Sequence, residues 1–262
     1  MNTTARIVRF ELSDVIRSRW LIAYGAFFLL AADALLRFSD DGTKAVLSLV
    51  SIVLLVIPLV SIVFGTMFFY NAREFTELLL AQPVRRSQLF TGLYLGLAIP
   101  LSAAFVFGVG VPYVYHGMLG TTGRVLPMML GTGVALTLIF VALAYVIAVR
   151  CEERVRGLGA AIATWLGLAV LYDGLVLVVA TMFADAPIER ALVGLILANP
   201  VDLGRLVLLL QLDISALLGY TGAVFRQLFG TAGGMAIVVA ALSVWLAAPV
   251  LLGARLFGRK DF

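Results

Sequence analysis

Apolar residues in this chain fall into six long blocks, at residues 20–36, 45–70, 89–115, 125–149, 158–183 and 230–253, and the charged residues lie almost wholly between them. A helix crossing the hydrocarbon core of a bilayer needs about 20 consecutive apolar residues. The pattern therefore predicts an all-α membrane protein with six transmembrane helices. Pro58 and Pro100 sit inside the second and third blocks, where packing against neighbouring helices tolerates a kink.

Composition strengthens this reading. The 262 residues are 62% hydrophobic and 13% charged, whereas a soluble domain carries about 25% charged residues, so an aqueous surface could not be covered. The net charge of +4 is too modest to point to nucleic acid. A single cysteine, Cys151, excludes an internal disulfide framework. Six spans place both termini on one side, and the distribution of Lys and Arg selects that side. With the N-terminus inside, 13 of the 19 basic residues fall in cytoplasmic segments and 6 in outer ones, so both termini are expected in the cytoplasm. Ala32-Asp33-Ala34 resembles a signal-peptide cleavage site, but the region before Trp20 is long and mixes Glu11 and Asp14 with its arginines. Block one is read as a retained helix.

The segments between the blocks carry their own patterns. In residues 1–19, Ile7, Phe10, Leu12, Val15 and Ile16 gather near one helical face while Arg6, Arg9, Glu11, Asp14 and Arg17 occupy the rest. This predicts an amphipathic helix in the cytoplasmic interface, ahead of a transmembrane domain over residues 20–262. Residues 71–89 read "NAREFTELLLAQPVRRSQL". Asn71 is placed to cap a short helix whose third position is Glu74; Phe75, Leu78 and Leu79 share its apolar face; Pro83 ends it; Ser87 is placed to cap span three. A plain loop needs no such helix, so the segment reads as a docking element.

Residues 184–229 are neither loop nor span. Asn199, Pro200 and Asp202 form a helix-start signature before the apolar run 206–212, which ends at Asp213 and is too short to cross. Residues 214–230 are again apolar but interrupted by Gly219 and Gly222. Two or more short helices that dip into, or lie on, the outer leaflet are expected, with another over 188–198 that is amphipathic around Glu189 and Arg190.

Catalytic motifs are missing. There is no GxxxxGK[ST], no HExxH and no GxGD, and His116 is the single histidine; the chain is therefore read as a non-enzyme without a nucleotide or metal site. Asp33 and Arg37 have i,i+4 spacing and fit an interfacial ion pair. Asp173 lies deeper, near the middle of span five, and supports two readings equally: a structural hydrogen bond or part of a pathway. Met128 and Met129, near Met118 and His116, offer soft ligands that would suit Cu(I), although methionine is also ordinary core filler. Gly92–Gly96 and Gly230–Gly234 have GxxxG spacing, and Gly131 with Gly133 adds a small-residue patch.

The whole arrangement resembles an ABC-2-type permease, of the type V exporter-like class. "REFTELLLAQPVRRSQLFTGLYLG" is similar to the family's acidic residue, leucine run and Pro-x-x-Arg. "ANPVDLGRLVLLLQLDISALLGYTGAVF" resembles, more narrowly, the permease of the transporter that matures nitrous oxide reductase, a copper enzyme. The resemblance implies a coupling helix within residues 71–88, seated on a separate cytoplasmic P-loop ATPase through Arg73, Glu74, Phe75, Glu77, Leu78, Arg85 and Arg86. ATP and Mg would bind that partner, and two permeases and two ATPases would form the core complex. The outer helices would receive a periplasmic β-helix accessory protein, with Glu189, Arg190, Asp202, Arg205, Asp213 and Arg226 as its polar contacts. Asp173, Met128 and Met129 would mark a candidate pathway. A general exporter of lipid, peptide or drug, and a stand-alone secondary carrier, are the competing readings.

Overall fold

The computed structural model describes residues 8, 12, 15–39, 42–80, 85–117, 125–182, 189–211 and 232–260. Among these residues every regular element is helical: α1 (Arg19–Phe38), α2 (Gly42–Asn71), α3 (Arg73–Leu80), α4 (Arg86–Tyr115), α5 (Val125–Arg150), α6 (Arg154–Leu166), a π-helical stretch Gly167–Leu171, α7 (Tyr172–Met182), α8 (Glu189–Leu197), α9 (Pro200–Gln211) and α10 (Ala232–Arg259). Among the described residues, six helical segments are long and apolar enough to cross a membrane: α1, α2, α4, α5, the continuous α6–π–α7 segment, and α10.

The backbone of each span satisfies its own hydrogen bonds, which hydrocarbon requires; what sets the arrangement is side-chain size at the crossings. α5 is the central helix, the most deeply buried of the six, and packs against α2, α4 and α10. Gly133 on α5 lies under the Phe105 ring, where a Cβ would collide with it, so the close crossing of α4 and α5 needs glycine there. Nearer the chain termini, Phe69, Phe90, Tyr145 and Phe257 bring α2, α4, α5 and α10 together through ring contacts at 5.4–6.2 Å. The Tyr145 hydroxyl donates to the Leu93 carbonyl at 2.9 Å, and the Tyr94 hydroxyl to that of Leu138 at 3.0 Å, so neither is an orphan in the apolar core. By contrast, α6–π–α7 and α10 bury little of their own surface and present apolar side chains outward.

The start of α1 and the end of α10 lie on one side of the bundle, here the terminal side. Three expected boundaries differ. Asn71 is the last residue of α2 and no cap: the Ala72 amide donates to the Phe68 carbonyl at 2.9 Å, continuing the helical pattern, and the Ala72 carbonyl accepts from Thr76 at 2.8 Å. Ala72 thus takes the capping position with no side chain to offer. α4 begins before Ser87, with Arg85 preceding its first turn and accepting backbone bonds from Gln88 and Leu89. α10 runs six residues beyond Gly253, to Arg259, its last turns held by packing of Phe257 in the core. Of the expected N-terminal helix, Val8, Leu12 and residues 15–17 are described and helical; Val15 is buried while Ile16 is half exposed.

Candidate functional site

Two polar constructions stand out on the apolar bundle, one on each side. The first is α3. Its inward positions are Ala72, Thr76, Leu79 and Leu80, at i, i+4, i+7 and i+8: Thr76 is buried, and Leu79 and Leu80 pack on the core. Phe75 is half-buried and lines a cavity of about 360 Å³ beneath the helix, with Val15, Phe68 and Leu101. The outward face is Glu74, Glu77 and Leu78, the last 70% exposed. Leu78 was expected to share a face with Phe75 and Leu79. The structure turns it outward: Thr76, two positions earlier, is the residue that faces the bundle.

Arg73 Nε donates to Glu77 Oε1 at 3.1 Å, an exposed i,i+4 pair worth at most about 0.5 kcal/mol. α3 is therefore held by its inward face and by its connection to α2. That connection is itself pinned: the Tyr70 hydroxyl donates to the Cys151 carbonyl at 2.7 Å, tying the end of α2 to the α5–α6 junction. Gly157 lets α6 approach, since a Cβ there would strike the Tyr70 hydroxyl.

Arg85 is exposed. Arg86 is not: its Nη1 donates to the carbonyls of Gly258 at 3.2 Å and Lys260 at 2.6 Å, clamping the start of α4 to the end of α10. Lys260 Nζ in turn donates to the Val149 carbonyl at 2.7 Å, closing the clamp onto α5. Burial first, and the nearby charge of Arg73 next, lower the pKa of Lys260 below the ordinary lysine value. Nothing in the spacing of residues 71–89 betrays the Arg86 or Tyr70 contacts, because their acceptors are carbonyls far along the chain.

The second construction is a re-entrant hairpin formed by α8 and α9. Its turn lies against Leu168, the midpoint of the 29-residue span Arg154–Met182, so the hairpin penetrates roughly 20 Å from the Met182 end. Asn199 makes the turn possible. Its Oδ1 accepts from the Val201 amide at 3.0 Å as the cap of α9, while its Nδ2 donates to the Leu168 carbonyl at 2.7 Å and to Asp202 Oδ2 at 3.1 Å. The Leu168 carbonyl lies in the π-helical stretch, where the ordinary i→i+4 ladder is interrupted. Further bonds run from Tyr172 Oη to the Leu195 carbonyl at 2.8 Å and from Trp245 Nε1 to the Leu197 carbonyl at 3.2 Å. Gly204 gives α9 its close seat against Thr132, Leu54 and Leu136.

Arg205, one turn along α9, donates from Nη1 to Asp173 Oδ1 at 2.6 Å and to Asp202 Oδ1 at 3.4 Å. Asp202 is buried, and Arg205 and Asp173 are each a little over one-third exposed. Asp173 thus finds a guanidinium partner 32 positions away, a pairing that spacing cannot announce. Asp202 and Arg205, expected as docking contacts, serve this internal cluster. Of the other expected docking residues, Glu189 and Arg190 lie in α8, and Asp213 and Arg226 fall outside the described residues.

Met129 is fully buried in the core and Met128 packs between the two apolar clusters. Asp33 binds Arg37 Nε at 2.9 Å as its spacing predicts, and also lies 2.9 Å from His116 Nε2 at the far end of α4. That interhelix contact was not foreseen. It gives His116 a carboxylate partner, while Met118 falls outside the described residues.

The amino-acid sequence matches the family model of ABC-2 family transporter proteins over residues 5–262. It is 29% identical over 279 aligned residues to a Pseudomonas aeruginosa protein named probable ABC transporter permease protein NosY, with 97% of both chains covered. A protein of the same name from Stutzerimonas stutzeri is 27% identical over 226 residues, covering 79% of this chain and 81% of the other. With a family match across nearly its whole length on a bundle of six membrane-crossing helices, the chain belongs to the ABC-2 family of transporter proteins, as a permease.

Proposed function

We propose that this permease is driven by a separate cytoplasmic ATPase that grips α3, and that both termini face the cytoplasm. The observation that carries the reading is the two-sidedness of α3. Its inner face is rooted in the bundle, while Glu74, Glu77 and Leu78 stand exposed on a helix too short and too polar to belong to the membrane. ATP and Mg would bind the partner, consistent with the absence of a P-loop in the amino-acid sequence. Two permeases would pair with two ATPases. A push on α3 would pass through Tyr70 to the α5–α6 junction, while the Arg86 clamp would carry motion of α4 to α10.

On the far side, α8 would receive a periplasmic partner, with Glu189, Arg190, Asp213 and Arg226 as its polar contacts. The likeness to two proteins named NosY supports a role in maturation of nitrous oxide reductase, where the permease transmits force or exports a cargo. Gentle detergent purification of the tagged chain from its native host, followed by mass spectrometry, tests this. An equimolar P-loop ATPase, with a periplasmic protein, is expected. Recovery of the chain alone, under conditions that keep other transporters intact, would contradict it.

A further inference from the structure

Asp202 lies where an ionised carboxylate is poorly supported. It is buried; its Oδ2 accepts from Asn199 Nδ2 at 3.1 Å, and its Oδ1 stands 3.4 Å from Arg205 Nη1, near the outer limit of a hydrogen bond. The same Nη1 is 2.6 Å from Asp173 Oδ1, so the guanidinium belongs first to Asp173. Asp202 and Asp173 also lie within hydrogen-bonding reach of each other. Two ionised carboxylates can only accept, so a bond between them needs a proton.

The charges around the cluster point the same way. Arg205 is the cation that faces Asp202; Asp173 and Tyr172 face it from α7, and the Asn199 amide from the turn. The other helices packed on α9 carry charged side chains only near their ends, at Lys44, Arg150, Arg255 and Arg259, and at Glu189 and Arg190 of α8. One guanidinium with two ionised aspartates would leave a net negative charge in a largely apolar setting, whereas one retained proton makes the cluster neutral. The first turn of α9 does favour an anion, but a helix N-terminus changes proton affinity by about fivefold, and at most about thirtyfold. Burial beside a second carboxylate changes it by up to about a thousandfold or more. Burial first, and Asp173 next, therefore raise the pKa of Asp202 above the ordinary carboxylate range.

The consequence falls on α7. None of its described residues is buried, and it is tied to the hairpin through the Tyr172 bond to the Leu195 carbonyl and the Asp173 bond to Arg205. We propose that Asp202 and Asp173 share one proton, and that this proton seats α7 on the re-entrant hairpin. With it the cluster is neutral and closed; without it the two carboxylates repel and α7 is released. Because the seated form holds the proton more tightly than the released one, seating is strongest below the ordinary carboxylate range. It weakens as pH rises from there through the raised value of Asp202, about tenfold for each pH unit over which the seated form alone keeps the proton.

Infrared spectroscopy of the full chain reads the proton directly, through the carbonyl stretch of a protonated carboxyl group. At about pH 6 ordinary aspartates and glutamates are ionised. The wild type is expected to keep a band there that disappears in Asp202→Asn and also in Asp173→Asn, which frees Arg205 to pair with an ionised Asp202. Amide hydrogen exchange, corrected for its intrinsic rate, supplies the second arm. Between about pH 6 and about pH 9, opening of α7 should rise on the order of tenfold in the wild type. It should stay level in Asp202→Asn, whose amide keeps a donor without a titrating proton. Absence of the band from the wild type, or its persistence in either variant, would overturn the shared proton. Loss of α7 protection at every pH in Asp202→Asn would overturn it too, since Asp202 would then be acting as an anion. A wild-type α7 indifferent to pH would overturn the release.

Discussion

The terminal side and the re-entrant hairpin use the same side chains to opposite ends. Arg73 and Glu77 on α3 are 40% and 45% exposed and joined by a single contact within one helix. Arg205, Asp173 and Asp202 join two helices through a network that also includes the cap of α9. An exposed i,i+4 pair contributes little to stability, because water and salt screen it and holding two long side chains costs entropy. A cluster at membrane depth cannot be solvated when broken, so its members depend on one another. The difference teaches that charges on α3 are free to be given to another protein, whereas those on α9 are committed to holding a helix where no span exists.

The sharpest way to break that contrast is Arg205→Met. It leaves Asp173 and Asp202 without a cation, and a loss of about 3 kcal/mol is expected, read as a fall in the thermal midpoint in detergent. Little change there would mean that the hairpin does not rely on its cluster. Next comes Asn199→Ala, which removes the α9 cap and the bond to the Leu168 carbonyl; about 2 kcal/mol is expected, with faster amide hydrogen exchange confined to α8, α9 and the π-helical stretch. Uniform acceleration along the whole chain would argue against a local role for Asn199. Tyr70→Phe deletes only the hydroxyl bond to the Cys151 carbonyl and should cost about 1 kcal/mol, with slower transport-linked ATP hydrolysis as the more telling readout. The smallest effect on stability belongs to Glu77→Lys, within about 0.5 kcal/mol, while ATP-driven activity should be lost. Normal coupled activity in that variant would remove α3 from the docking role.

The division between what could and could not be read from the chain follows the range of the interaction. Six spans were legible because hydrocarbon demands long uninterrupted apolar runs. The start of α9 was legible too, since Asn199, Pro200 and Asp202 act within one turn. Whether the short helices lie on the leaflet or enter it was not legible, because entry depends on the Leu168 carbonyl and on the fit of Gly204 against α2 and α5. Asn71 misled for a related reason: a good capping residue is overridden where the preceding helix simply continues to it. Arg86 illustrates the same limit from the functional side. Spacing placed it in a docking loop, but its acceptors at Gly258 and Lys260 are brought to it only by the folded bundle.

The most direct test of the central claim, that α3 is the handle for a separate ATPase, is site-specific crosslinking from its outward face. In a Cys151→Ser background, Leu78→Cys places a thiol at the most exposed apolar position of α3, and Leu55→Cys places one at an exposed position within the span α2. With a short reagent that joins a thiol to a neighbouring amine applied to membranes of the native host, Leu78→Cys should join the chain to a P-loop ATPase while Leu55→Cys does not. Absence of that product from Leu78→Cys, or the same product from both positions, would contradict the account.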